Sequence, residues 1–155
     1  LHSLRRRQRQ MCIRDSLTPT LVAEAAVANQ GQGQLPDWEV KKAADAMADT
    51  YLNLSQAFKI GVKFTCGTDA GTPFNGFERT PEEFGFLAKI GMTPAQAYQC
   101  SSINAATLMG IADDYGTLTV GKFADFQVLR ADPLADTAAV IQADKAVYGG
   151  GVRQF

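Results

Sequence analysis

An α/β unit followed by a small β layer is the fold class predicted by three features of this 155-residue sequence. A long amphipathic segment stops at Gly61 and runs straight into β-prone residues. Two Thr-Pro helix starts, at Thr80 and Thr93, then come in quick succession. Beyond Asp113 the character changes, and turn residues alternate with short β-prone runs. Helices set between strands point to a parallel sheet with covering helices, whereas short strands joined by tight turns point to antiparallel pairing. We place the boundary near residue 115.

In order along the chain, Thr18-Pro19-Thr20-Leu21-Val22 reads as the end of a strand or its exit into a loop. Asn29 to Gln34 is a polar, glycine-rich loop, and Asp37 stands where an N-cap is expected. Val40, Ala43, Ala44, Met47, Ala48, Tyr51, Leu54 and Phe58 then recur at three- and four-residue steps, the signature of an amphipathic helix. Gly61 closes it as a left-handed C-cap. Val62 to Thr68 is a β-prone run that ends in Asp69-Ala70-Gly71. Thr80-Pro81-Glu82-Glu83 predicts a capping box, with Thr at N-cap, Pro at N1 and Glu at N3. Thr93-Pro94-Ala95-Gln96 repeats the arrangement with Gln. The first of these helices carries Phe84, Leu87 and Ala88 on one side and stops at Gly91. The second runs to Gly110 with a break near Ser102. In the tail, Phe126 to Leu129, Ala146 to Tyr148 and Val152 to Phe155 read as strands, with a turn at Gly149-Gly150-Gly151.

Composition narrows the function. The chain has a net charge of −1, but its first sixteen residues hold five arginines against one aspartate, leaving −5 for the remainder. A mildly acidic body argues against nucleic acid as a partner, because phosphate binding needs a basic surface. The arginine-rich stretch, residues 1–16, has no helical or strand period that carries on past Ser16, and it reads as non-native or disordered. No run of eighteen apolar residues and no secretory signal occur, so no membrane partner is expected and a cytoplasmic setting is the default. Cys12, Cys66 and Cys100 are odd in number, far apart and without a C-x-x-C, which signals reduced thiols rather than a disulfide or zinc framework.

Asp69 is the residue with most chemical promise. It directly succeeds a β-prone run inside Gly67-Thr68-Asp69-Ala70-Gly71, and the carboxyl end of a parallel strand is where active-site groups project. Small neighbours allow a sharp turn and leave space for a cation, a water and a substrate. A carboxylate there can bind a divalent ion and hold the proton of an activated water. The bland alternative is that Asp69 merely caps a turn or the next helix. Gly116 to Phe123 matches G-x-x-x-x-G-K but ends in Phe, lacks the magnesium-binding hydroxyl, and has its helix before it instead of after; it reads as a turn. The only histidine is His2, so neither Cys66 nor Cys100 has a native base to activate it, and Cys66 is expected to pack beside the strand. Trp38, Tyr51 and Phe58 are spaced as core residues.

Taken together, Val62 to Gly71, Thr72-Pro73-Phe74-Asn75, Glu83, Gly91 to Ala97, Asn104-Ala105-Ala106, Gly116 to Leu129 and Asp132-Pro133-Leu134 resemble the end of the amidohydrolase superfamily. The imidazolonepropionase-like and Xaa-Pro dipeptidase-like branches are the most similar. The resemblance runs from Leu17 to Phe155. It implies the C-terminal part of a (β/α)8 barrel at residues 17–115, then strands of a composite β-sandwich at residues 116–155. It also implies that Asp69 is the aspartate after the eighth strand, a metal ligand and proton shuttle. The implied cofactor is a divalent metal such as zinc, one or two ions in the full-length parent. The implied substrate is a dipeptide or other small molecule bearing a C–N bond, and the parent could be a homo-oligomer.

The departures from that pattern are as informative. The superfamily's first-strand His-x-His pair, its bridging lysine carboxylate and two further histidines belong upstream of this segment, and none is present. A full barrel needs ~250 residues. Related sequences often carry a histidine soon after the Gly-Thr-Asp-Ala-Gly loop, where this chain has Phe74-Asn75-Gly76-Phe77. Two readings are open. One is a metal-dependent amidohydrolase represented by an incomplete C-terminal fragment, inactive alone. The other is a non-catalytic α/β module or decayed paralogue that pairs with another chain.

Overall fold

The computed structural model describes residues 16–154. In chain order the elements are β1 (Ser16–Leu17), α1 (Leu21–Gln30), α2 (Asp37–Lys59), β2 (Lys63–Phe64), a 3-10 turn (Phe77–Arg79), α3 (Glu82–Lys89), α4 (Pro94–Ser101) and α5 (Ile103–Met109). The tail holds β3 (Phe126–Leu129), a second 3-10 turn (Thr137–Ile141), β4 (Lys145–Gly149) and β5 (Val152–Arg153). β1 and β2 pair in parallel, Ser16 opposite Lys63 and Leu17 opposite Phe64, with α1 and α2 making the crossover. β3, β4 and β5 form an antiparallel sheet in that order, and Phe126 stacks on its cross-strand partner Tyr148 at 4.6 Å.

The expected sequence of α/β followed by β is therefore present in reduced form. Among the described residues two parallel strands do not close a barrel, and the tail is a single three-stranded sheet instead of two packed ones. The expectation for residues 1–16 falls outside the described residues except at Ser16, which sits in β1.

α2 forms where the stripe predicts it, and its end is closed as expected. Gly61 takes φ +84°, Val62 N–H donates to the Ala57 carbonyl, and Gly61 N–H donates to that of Phe58. This double closure needs a left-handed residue, which glycine adopts without a Cβ clash. The start differs from expectation. Pro36 is the N-cap and Asp37 is already helical, where its charge, with that of Glu39, faces the positive end of the helix dipole. Of the predicted stripe Val40 is buried and Tyr51, Leu54 and Phe58 are half-buried, but Ala44 and Ala48 are exposed. Trp38, expected in the core, is 67% exposed, because it lies in the first turn beyond the reach of any covering element among the described residues.

Thr18 to Thr20 are the loop exit from β1, but α1 takes over at Leu21 and Val22, where the strand end or its exit is expected to run on. Leu21, Val22, Ala25, Ala26 and Ala28 are buried and Ala23, Glu24 and Val27 half-buried, and with small apolar residues on both faces the sequence shows no clear stripe. Alanine's helix propensity favours this conformation, and burial of Leu21, Val22, Ala25 and Ala26 completes it. The Thr93 capping box forms as predicted, with the Thr93 and Gln96 side chains each bonding the other's backbone. The chain also breaks at Ser102, whose hydroxyl donates to the Tyr98 carbonyl at 2.8 Å. The Thr80 box does not form. Thr80 has helical angles (φ −45°, ψ −44°) because it continues the 3-10 turn, and its hydroxyl donates backward to the Phe77 carbonyl.

The core gathers Leu21, Phe64, Leu87, Ile90, Met92, Ala97 and Cys100, with Phe58 meeting Phe64 edge-on at 6.2 Å and Cys66 packed against the cluster. The second 3-10 turn packs on α3, and Tyr98 donates to the Thr137 carbonyl, fastening the tail to the helices. Gly116 to Phe123 is a turn, and Lys122 spends its ammonium on the Ala112 and Tyr115 carbonyls.

Candidate active-site rim

Asp69 lies five residues beyond the end of β2, on the side where both parallel strands finish. Thr65 N–H still bonds the Leu17 carbonyl, extending the pairing by one step, and Cys66 N–H then bonds the Cys100 carbonyl. Gly67 comes next, at a tight approach: a Cβ there would lie 2.5 Å from the Thr18 methyl. Only glycine lets the exits of β1 and β2 come so close. Thr18 and Thr65 are also joined through their hydroxyls at 2.5 Å.

Asp69 itself is left-handed, φ +52°, and its side chain is exposed. Aspartate tolerates that conformation better than most residues. What fixes the turn is Asn75, which is 2% exposed. Its amide nitrogen donates to the Thr68 carbonyl at 2.6 Å, the Asp69 carbonyl at 3.2 Å and the Thr72 hydroxyl at 3.3 Å. Thr72 adds its own hydroxyl to the Asp69 carbonyl at 3.0 Å. Beyond Asn75, Arg79 donates to the Phe74 carbonyl and clamps both oxygens of Glu82 at 2.9 and 2.7 Å. The backbone of Asp69 is thus occupied on its inner side and the carboxylate is left facing outward.

A second carboxylate, unmarked as a site in the sequence, sits at the same rim. Glu83 is fully buried and accepts hydrogen bonds from Leu21 N–H at 3.0 Å and Val22 N–H at 2.8 Å. These are free donors at the start of α1, whose Thr20 cap supplies no side-chain bond. Burial raises the Glu83 carboxyl to about 7 in spite of the two backbone bonds that pull it down. Its negative charge, after burial, helps raise Tyr51 and pushes the Cys66 thiol up to about 12. Cys66 is therefore protonated and inert at neutral pH. One sequence signal could have found Glu83: it shares the Leu87 and Ile90 face of α3, at i, i+4 and i+7, where an acidic residue is out of place.

A family model described as the amidohydrolase family matches residues 9–150. The chain belongs to this family. Imidazolonepropionase from Pseudomonas fluorescens (strain Pf0-1) is 41% identical over 63 residues, covering 39% of this chain and 16% of that enzyme. A Xaa-Pro dipeptidase crystallised with methionine in its active site superposes with a TM-score of 0.75 and 28% identity, over 88% of this chain and 33% of the other. A prolidase complexed with N-methylphosphonate-L-proline gives a TM-score of 0.77 and 25% identity, over 93% and 36%. The chain thus spans about a third or less of the length of these amidohydrolase relatives.

Amidohydrolases are typically metal-dependent, and a zinc centre takes three or four protein ligands, with thiolate sulfur where cysteine serves. Among the described residues no three His, Cys, Asp or Glu side chains gather to hold an ion. Asp69 offers one carboxylate and Cys66 a thiol that keeps its proton. The described residues do not form a metal site by themselves.

Proposed function

We propose that the chain supplies the seventh- and eighth-strand part of an amidohydrolase that cleaves an amide or dipeptide C–N bond, with Asp69 as its contribution to the chemistry. The observation that carries this reading is the stance of Asp69: an exposed carboxylate beyond the shared exit of two parallel strands, on a turn whose inner side is fully engaged. A carboxylate so placed accepts a proton from an attacking water and returns it to the departing amine. The remaining groups of such a site, including any zinc or other divalent ion the enzyme uses, must be held by residues other than those described. The isolated chain is accordingly expected to be inactive. The imidazolonepropionase and dipeptidase likenesses direct the choice of substrate towards cyclic amides and Xaa-Pro dipeptides.

The test joins this chain to the coding sequence that precedes it and assays a panel of dipeptides and cyclic amides together with metal content. Asp69→Asn should lower turnover by about 10²- to 10⁴-fold, the usual worth of a positioned acid–base group. An unaffected rate would remove Asp69 from the mechanism. If no preceding sequence exists and another protein co-purifies in fixed ratio, a non-catalytic pairing module replaces the enzyme reading.

A further inference from the structure

Glu83 is tied to the rim by more than proximity. Its two oxygens take up the first two N–H groups of α1 across more than sixty residues of sequence, and the bonds are charge-assisted whenever the carboxylate is ionised. Only three residues separate β1 from α1, so whatever fixes the first turn of α1 also fixes Thr18 to Thr20. Thr18 in turn touches Gly67 and bonds Thr65, and Gly67 is two residues from Asp69. We propose that Glu83 is a positioning residue for the rim: by seating the N-terminus of α1 it sets the exit of β1 and, through the Thr18–Gly67 contact, the stance of Asp69.

The surroundings of Glu83 leave its charge with few other tasks. The titratable groups that face it are Tyr51 from α2 and Cys66 from the exit of β2, with Glu24 of α1 and Cys100 of α4 one contact further. Among the described residues no lysine or arginine forms an ion pair with it. The anion is balanced by the helix terminus alone. Protonation removes the charge assistance from the bonds to Leu21 and Val22, even though burial makes the neutral acid the more stable native form, and this local change should be felt along the same path. The proposal deepens the reading of Asp69 as the reactive carboxylate, yet its test needs no catalysis.

The experiment is a pH titration of backbone amide resonances on the full 155-residue chain. Leu21 and Val22 should shift with a midpoint near 7, the value to which burial lifts Glu83. Gly67 and Asp69 should carry the same midpoint, while β3 and β4 do not. Asp69→Asn, which removes the loop's own carboxylate, should leave that shared transition in place. Glu83→Gln should abolish it at both places. Amide exchange followed by mass spectrometry, usable at low concentration, adds an independent reading. Glu83→Gln should speed exchange by about tenfold in residues 17–26 and 65–75, leaving residues 126–149 unchanged. A midpoint in the ordinary carboxylate range at Leu21 and Val22 overturns the proposal, as does a Gly67–Asp69 segment that ignores Glu83 or a uniform rise in exchange. Should the transition be shared while Asp69→Asn leaves turnover intact, the positioning role stands and the catalytic reading falls.

Discussion

The turn around Asp69 and the pocket around Glu83 hold their carboxylates in opposite ways. At Asp69 the backbone is fixed, by Asn75 and Thr72, and the side chain is free in solvent. At Glu83 the side chain is fixed, by two amides of a different helix, and solvent is excluded. Under the proposed role of Asp69, the difference separates chemistry from architecture. A group that must meet a substrate keeps its oxygens uncommitted, while a group that locates other elements commits both. Losing the first should cost activity with little stability, and losing the second should cost stability directly.

The largest expected effect comes from Glu83→Ala. It leaves two buried N–H groups without a partner and opens a cavity, which together should lower unfolding free energy by about 3–5 kcal/mol in a denaturant melt. A loss below about 1 kcal/mol would mean that water already reaches the pocket.

Next is pH. The folded carboxyl of Glu83 sits at about 7 against an unfolded value of 4.5, so the native state binds the extra proton between them. Stability from this group is full below the lower value and is lost as pH rises through the higher one. The drop should be about 3 kcal/mol across that window. Thermal melts from pH 4 to pH 8 should show it, and a curve that rises instead would contradict the burial of an unpaired acid.

Gly67→Ala ranks third, since its methyl would collide with that of Thr18. Parting the two strand exits should cost about 1–3 kcal/mol, read from the same melts. Smallest is Asp69→Asn, which should stay within about 0.5 kcal/mol of the parent, because the carboxylate is exposed and asparagine accepts the left-handed turn. A large loss there would erase the contrast between the two carboxylates.

Legibility in the sequence divides along the same line. α2, the Thr93 box, the break at Ser102 and β3 are legible because each depends on a local rule: a stripe, a capping pair, a β-prone run. α1 is hidden because alanine and valine recur on both its buried and its half-buried face, which blurs its period, and alanine favours a helix too weakly by itself to be read. The Thr80 box is misread because a 3-10 turn upstream already commits Thr80, freeing Glu83 for donors that no local pattern announces. Asp69 is legible as a strand-exit acid, but the Asn75 bonds that shape its turn depend on a fold-back of the loop. Trp38 is misplaced because spacing alone does not tell which end of a helix is covered.

Three helices end in the same reversal: Gly61-Val62 after α2, Gly91-Met92 after α3 and Gly110-Ile111 after α5, each with the second residue bonded five positions back. After α2 the junction leaves no slack, since β2 begins at the very next residue. One amino acid added inside that helix would rotate everything before it by about 100° relative to the strand, or else push the strand out of phase and turn Phe64 toward water. Length at this joint is therefore as strictly set as composition, and tolerated insertions belong in the loops at Gln32–Gln34 or Leu118–Val120, where every residue is exposed.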